Sequence, residues 1–243
     1  MSTPPHPEKT SNENRWWELY FIRYFVGAVV GGAIILYLNV QAPLDNLIMP
    51  GVKDVAQLSA QQLSILAALG LAFCYIASAP ILVLHATRAV FLAQNTKLHS
   101  WLVGGAAVLA TILSVTYYCL QPIPNNRVAV AIFLLVTIML VQVAQLSLSF
   151  LKKGEFVHTY YEKLTKARSR SGEGVRQYME SYKHLREHGN AFLILIFEVT
   201  LGIILASVPN PSYAFLVLLL WISPAAMIWV LGTVLEYRFA ETP

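Results

Sequence analysis

The sequence predicts an all-α polytopic membrane protein with about six transmembrane helices and a short cytoplasmic helical hairpin. Hydrophobic residues make up 56% of the 243 residues, and charged residues only 12%. The apolar residues come in long blocks rather than as one stripe per helix, which is typical of helices that lipid surrounds on all sides. One polar segment, residues 152–190, interrupts these blocks and must stand in water beside the membrane. We call this segment the polar island.

Six apolar runs have the length of a membrane span. We expect them at about residues 20–38, 63–84, 101–120, 128–151, 191–208 and 214–235. Residues 1–15 are polar and proline-rich and have no signal-peptide pattern, so we interpret them as a disordered cytoplasmic tail before a retained span. The predicted organisation is a tail (1–15), four transmembrane helices (16–151), the polar island (152–190), and two transmembrane helices with a short cytoplasmic tail (191–243).

The distribution of positive charge predicts the orientation in the membrane. Fifteen of the 17 Lys and Arg residues lie at the N-terminal end, between the second and third spans, in the polar island or at the C-terminus. Only Lys53 and Arg127 lie in the remaining loops. Because basic loops stay in the cytoplasm, we expect both termini and the polar island on the cytoplasmic side of the membrane.

Glycines in the first span predict a close helix contact. Gly27 and Gly31 are four residues apart, and Gly32 extends the pair. This spacing leaves bare backbone on one face of the helix, where another helix can approach closely. The contact is either internal to the subunit or between subunits.

Prolines inside two spans predict kinks. Pro80 follows Ser78 in the second span, and Pro224 lies within the sixth. Each proline removes a backbone hydrogen bond, and Ser78 or a neighbouring helix is expected to satisfy the carbonyl freed at Pro80. Such kinks serve either as hinges or only as packing features, so both prolines are candidates for gating.

Glu198 is the one acidic residue deep within a predicted span. A carboxylate in lipid is costly, so we expect the side chain to face other helices or a water-filled path, where it acts in gating, permeation or proton coupling. The alternative is a structural hydrogen bond, near Thr200 or to the fourth span. The last turns of that span carry four polar residues, which predict a wet or helix-facing surface: Gln142, Gln145, Ser147 and Ser149.

The polar island predicts two helices, residues 154–167 and 174–188, each with an apolar-aromatic stripe at steps of three and four. It holds nine of the 17 Lys and Arg residues. Cations interleaved with aromatic rings suit an anionic ligand such as a nucleotide or a single-stranded oligonucleotide. The alternative is a solvated basic surface that faces lipid headgroups. The predicted ligand-binding residues are Tyr160, Lys163, Lys166, Arg168, Arg170, Arg176, Tyr178, Tyr182, Lys183 and Arg186.

One motif in the island resembles a zinc-peptidase signature. His184, Glu187 and His188 fit H-x-x-E-H, in which two histidines bind zinc and the glutamate acts as base. A peptidase also needs a distal acidic ligand in a folded catalytic domain, and the remaining sequence is too short and apolar to supply one. We therefore predict no catalytic residue, no metal, no cofactor and no enzymatic activity.

The multispan core together with the basic-aromatic hairpin at residues 152–190 resembles the small bacterial membrane effectors of antiphage defence, among them the Hailong transmembrane effectors. The resemblance implies a homo-oligomeric channel-like protein that an anionic ligand controls, with a ligand-synthesising enzyme as partner. The ligand would be a single-stranded DNA oligomer or a cyclic nucleotide. One alternative is a proton-coupled transporter or transporter subunit that uses Glu198. Another is a membrane scaffold whose hairpin docks a cytoplasmic partner.

Overall fold

The computed structural model describes residues 16–41, 44–54, 56, 58–87, 96–122, 125–150 and 191–240. Regular structure in this part of the chain is helical. We number its helices in chain order: α1 (Trp16–Asn39), α2 (Ala60–Ala77), α3 (Ala79–Ala86), α4 (Thr96–Leu120), α5 (Asn126–Phe150), α6 (Ala191–Ser207) and α7 (Pro211–Ala240).

Four stretches of helix are long and apolar enough to cross a membrane. They are Ala60–Ala86, which combines α2 and α3, Ser100–Leu120, Asn126–Ser147 and Pro211–Val230. The stretches Tyr24–Asn39 and Ala191–Ser207 are apolar but shorter. The predicted class, an all-helical chain with membrane-crossing helices, is confirmed at this level. The predicted N-terminal tail, the hairpin and most of the loop between the second and third spans lie outside the described residues.

The largest core cluster joins five helices and one loop. Buried apolar residues from α1, α2, α5, α6 and α7 meet there with Leu44, Met49 and Val52 of the loop between α1 and α2. Trp221 of α7 is completely buried within this cluster. The helix α4 differs, because only 11% of its Ser100–Leu120 stretch is buried and it packs mainly on α5.

Bare backbone brings α1 and α2 together. A side chain on Gly31 would collide with the carbonyl oxygen of Gly70, and one on Gly70 would collide with the carbonyl oxygen of Ala28 and lie 2.5 Å from the amide nitrogen of Gly32. The close contact predicted from the glycine spacing therefore forms within the subunit. This contact holds α1 against α2 and so determines which residues of α1 face α6.

The span formed by α2 and α3 is broken at Ser78. The amide of Ile81 bonds to the Ser78 carbonyl, 2.9 Å away, rather than to Ala77. The indole of Trp221 donates to the freed Ala77 carbonyl at 3.2 Å, and the Ser78 hydroxyl donates to the Tyr75 carbonyl at 2.9 Å. The carbonyl that Pro80 itself leaves without a helical donor is that of Ile76, so these two bonds go to neighbouring carbonyls of the break and not to the one for which they were predicted.

Trp221→Phe should test the indole bond across the break. The smaller ring keeps an aromatic side chain in the core but leaves the buried Ala77 carbonyl without its donor, so we expect a loss of about 1–2 kcal/mol in the free energy of unfolding. Unfolding in detergent measures it. Trp101→Phe is the matched control because Trp101 is 79% exposed. Equal effects of the two substitutions would contradict the role of the Trp221 bond.

Pro224 does not interrupt α7, which continues from Pro211 to Ala240. A helical residue at this position would donate its amide hydrogen to Leu220, which proline cannot do. The hydroxyl of Ser223 donates to the Leu220 carbonyl instead, at 3.1 Å. The neighbouring side chain thus compensates locally for the proline.

Asn39 holds the loop after α1 against the end of the bundle. Its side-chain amide donates to the carbonyls of Met49 and Val52, both at 2.9 Å, and its oxygen accepts from the amides of Ile48 at 3.1 Å and Met49 at 2.7 Å. The sequence suggests that residues 47–49 lie on the surface. Leu47 does, at 58% exposed, but Met49 is buried because Asn39 draws the loop inward.

Asn39→Ala should loosen this loop. The substitution leaves the Val52 carbonyl and the amides of Ile48 and Met49 without these partners, while the Met49 carbonyl keeps its bond from the Val52 amide, so we expect a loss of about 3 kcal/mol in the free energy of unfolding. Thermal or chemical unfolding in detergent provides the measurement. Asn126→Ala, at an exposed position, should change stability little. A similar loss in both variants would refute the role given to the Asn39 bonds.

Candidate functional site

Glu198 is completely buried on the core-facing side of α6. Ile194, Leu201 and Leu205 are buried on the same side, whereas Val199 is half exposed. The spacing of these residues follows the helical repeat, so one face of α6 packs into the bundle and the other faces outward. The carboxyl lies within a row of apolar core residues. The sequence prediction that it faces other helices is consistent with this position.

Two further helices meet α6 at the carboxyl. A Cβ on Gly27 of α1 would lie 3.5 Å from Oε1 of Glu198 and would collide with Sγ of Cys74 on α2. The thiol and the carboxyl thus both border the backbone of Gly27. Cys74 is a free, buried thiol. The absence of a side chain at Gly27 leaves the space that these two polar groups occupy.

Neither carboxyl oxygen of Glu198 has a hydrogen-bond partner among the described residues. Buried polar groups are nearly always paired, and leaving one unpaired costs about 1–3 kcal/mol. The structural alternative, a hydrogen bond near Thr200 or to the fourth span, has no counterpart among the described residues. The Gln142 amide nitrogen donates to Sδ of Met139 at 4.0 Å, and the Gln142 oxygen has no hydrogen-bond partner among the described residues.

Among the described residues, no further metal ligands accompany Glu198 and Cys74. Within the described ranges, no group of three or more His, Cys, Asp or Glu residues is placed to hold a metal ion. Two protein ligands are too few for either a structural or a catalytic zinc site. The described residues provide two groups at this point: a carboxyl, which can bind and release a proton, and a thiol.

A second buried polar cluster joins α5 to the end of α3. Thr87 is 1% exposed, Gln142 1% and Gln145 2%. The Thr87 hydroxyl contacts Oε1 of Gln145 at 3.1 Å and the Val83 carbonyl at 2.7 Å. The sequence predicts a wet or helix-facing surface on the last turns of α5. Gln142 and Gln145 are buried there, whereas Ser147 is exposed.

The broken span connects these two polar regions. Cys74 lies before the break and Thr87 after it, 13 residues apart, which corresponds to roughly 20 Å along a helix. Between them lie the freed carbonyl of Ala77 and the indole of Trp221. Buried polar groups therefore recur along α2 and α3 from Glu198 toward the end of the bundle where α5 leads into the polar island.

The structure places the predicted gating prolines on helices that touch. Pro80 is buried at the start of α3, and Pro224 is buried in α7. Val83 of α3 and Ala225 of α7 share a small core cluster with Leu146. Trp221 and Phe197, which precedes Glu198 in the chain, form a T-shaped ring pair with 6.0 Å between the ring centroids. The ten predicted ligand-binding residues and the H-x-x-E-H motif all lie outside the described residues.

Sequence reasoning identified Glu198 but not its surroundings. Cys74 carries no spacing signal that would place it beside Glu198, and Thr87 was not singled out. The contribution of Gly27 could have been inferred only in part, because its spacing indicates a helix contact but not which residues fill it.

Comparisons with protein-family models, with curated proteins and with solved structures gave no match.

Proposed function

We propose that this chain is an integral membrane protein that moves an ion or a proton across the bilayer, and that this movement depends on Glu198. The observation that carries the proposal is the burial of the Glu198 carboxyl without a hydrogen-bond partner among the described residues. Ionisable groups inside membrane proteins are costly and are typical of ion paths and proton relays. The broken span beside Glu198 supports it, since discontinuous helices border the substrate sites of many transporters.

The proposed topology has six crossings with both termini and the polar island in the cytoplasm of a bacterial inner membrane. The four long helices account for four crossings. The helices α1 and α6 are proposed as the other two, and both contribute to the core cluster. The excess of Lys and Arg in the predicted cytoplasmic segments supports the orientation.

We propose a channel as the mode of movement, with an anionic ligand bound to the polar island as its control. The charge and aromatic content of residues 152–190 support this, as does the resemblance to antiphage effectors such as the Hailong transmembrane effectors. A ligand-synthesising enzyme would be its partner, and Pro80 and Pro224 would serve as hinges. Buried polar groups along α2 and α3 lie between Glu198 and the end of the bundle where α5 leads into the polar island. We propose that ligand binding at the island acts on Glu198 through this broken span.

A homo-oligomer is part of this mode, since one hairpin is too small to enclose an oligonucleotide. The helix α4 supports it, because it packs mainly on α5 and most of its surface is uncovered in the single chain. Repeated copies around an axis would bring several islands to one centre. Mass measurement of the particle in mild detergent tests this point, and a lone subunit would contradict it.

Proton-coupled transport is the second candidate, favoured by the enclosure of Glu198 between α1, α2 and α6. A carboxyl that borders Gly27 and Cys74 inside one chain suits a group that exchanges protons as helices shift, rather than a ring around a shared pore. Pro80 would then allow α3 to move relative to α2. Substrate flux that follows an imposed pH gradient would select this mode.

Reconstitution into vesicles tests the two modes together. Ion flux should be measured with and without a short single-stranded DNA oligomer, and with and without a pH gradient. A change in flux on adding the oligomer supports the ligand-controlled channel. The logarithm of the oligomer's binding constant should then fall linearly with the logarithm of the salt concentration. Flux that requires the pH gradient and ignores the oligomer supports coupled transport. Vesicles that are no more permeable than protein-free ones under all conditions would refute the proposed function.

A further inference from the structure

A groove runs between α1, α5 and α6 on the outer face of the bundle. Its volume is about 740 Å³, within the range of small-molecule sites. On α1 it extends from Val29 to Tyr37, and on α6 from Val199 to Ser207. Eight residues of helix correspond to roughly 12 Å, so both walls have about the depth of the hydrocarbon in one leaflet.

Polar groups are concentrated at one end of this groove. The walls are lined by apolar residues for most of their length, among them Val30, Ala33 and Val130. Tyr37, Arg127 and Ser207 lie at the ends of their helices, where α1 finishes, α5 begins and α6 finishes. An apolar slot with a polar mouth matches an acyl chain that ends in a headgroup.

The charge at the mouth identifies the headgroup. Arg127 is exposed and forms no ion pair within the described part of the chain, and Lys53 is the one other cation assigned to this side of the membrane. A guanidinium matches the geometry of a phosphate better than an ammonium does, because it donates two parallel hydrogen bonds. A single cation beside an uncharged tyrosine and serine favours a headgroup with net negative charge.

We propose that this groove binds an anionic phospholipid of the surrounding bilayer, with one acyl chain along α1 and α6 and its phosphate at Arg127. The site lies at the opposite end of α5 from the polar island. It is therefore distinct from the proposed nucleotide or oligonucleotide site. It is also independent of the transport proposal, because lipid retention does not require flux.

Native mass spectrometry of the purified full chain provides the test. The probes are phosphatidylglycerol and phosphatidylcholine with identical acyl chains, and inorganic phosphate alone. We expect wild-type protein to retain phosphatidylglycerol about five- to tenfold more strongly than phosphatidylcholine, as one arginine near a headgroup allows. Arg127→Gln should remove this preference, whereas Lys53→Gln, a cation outside the groove, should leave it intact. Ala33→Trp should reduce retention of both lipids by filling the slot, and Ala226→Trp, on an exposed part of α7, should not.

Equal retention of the two lipids by the wild-type protein would overturn the proposal, and this comparison requires no variant to fold. An equal loss of preference in Arg127→Gln and Lys53→Gln would also overturn it, since it would indicate a diffuse surface charge. Retention of inorganic phosphate as strong as that of phosphatidylglycerol would indicate an anion site that does not use the groove. None of these outcomes depends on whether the protein moves ions.

Discussion

Glu198→Gln should reduce ion or proton flux in vesicles by about tenfold or more, because the amide has nearly the size of the carboxyl but cannot bind and release a proton. The fold should persist, since the polar neighbour of the carboxyl is the Cys74 thiol, which can donate equally well to the oxygen of the amide. Flux through equal amounts of reconstituted protein is the measurement. Asp54→Asn is the matched control, because it makes the same chemical change at an exposed loop position and should leave flux unchanged.

Stability separates this role from a structural one. Replacing an unpaired buried carboxyl by an apolar side chain removes a desolvation penalty, so Glu198→Leu should raise the free energy of unfolding by about 1–3 kcal/mol while abolishing flux. A carboxyl that holds the bundle together would give the opposite sign. Loss of stability in Glu198→Leu together with unchanged flux in Glu198→Gln would show that the group is only structural.

Gly70→Ala should destabilise the bundle by about 2–3 kcal/mol, because it forces an extra methyl group into a filled contact. The new Cβ would collide with the Ala28 carbonyl and lie 2.5 Å from the nitrogen and 2.9 Å from the Cα of Gly32. These are backbone atoms, which cannot rotate away as side chains do, so α1 must separate from α2. Unfolding in detergent, with the monodisperse fraction after purification as a second reading, measures the effect.

Gly104→Ala is the matched control for this substitution. A Cβ at Gly104 meets nothing within 4 Å, although the residue lies within the helix α4. Alanine is the better helix former, so this variant should be unchanged or more stable by about 0.5–1 kcal/mol. The two glycine substitutions are thus expected to have opposite signs. Equal tolerance of alanine at Gly70 and Gly104 would contradict the close packing of α1 on α2.

The helical membrane class could be predicted from hydropathy because each apolar block is long enough to be recognised by itself. The same property hides how the helices are arranged. When a helix is apolar all round, its sequence does not indicate which face meets a neighbour. Glycine spacing on α1 predicted a contact, but its partner Gly70 has no motif around it. Pairing between distant helices is a property of the folded chain, so it was found only in the structure.

Only one residue of the candidate site, Glu198, could be predicted from the sequence. A carboxyl within an apolar run is conspicuous, so Glu198 was identified from the sequence. Cys74 and Trp221 are ordinary components of apolar spans, and their positions beside Glu198 and the broken span depend on the packing of α2, α6 and α7. Asn39 resembled the polar end of a span. Its buried position depends on the path of the loop that follows, which the sequence does not reveal.

Infrared difference spectroscopy on reconstituted protein tests the role of Glu198 most directly. The difference spectrum should compare conditions that permit ion or proton flux with conditions that block it. A carboxylic-acid carbonyl band should appear or disappear in the wild-type difference spectrum and be absent in Glu198→Gln. A wild-type spectrum without such a band, or one with a band that persists in Glu198→Gln, would contradict proton exchange at this carboxyl.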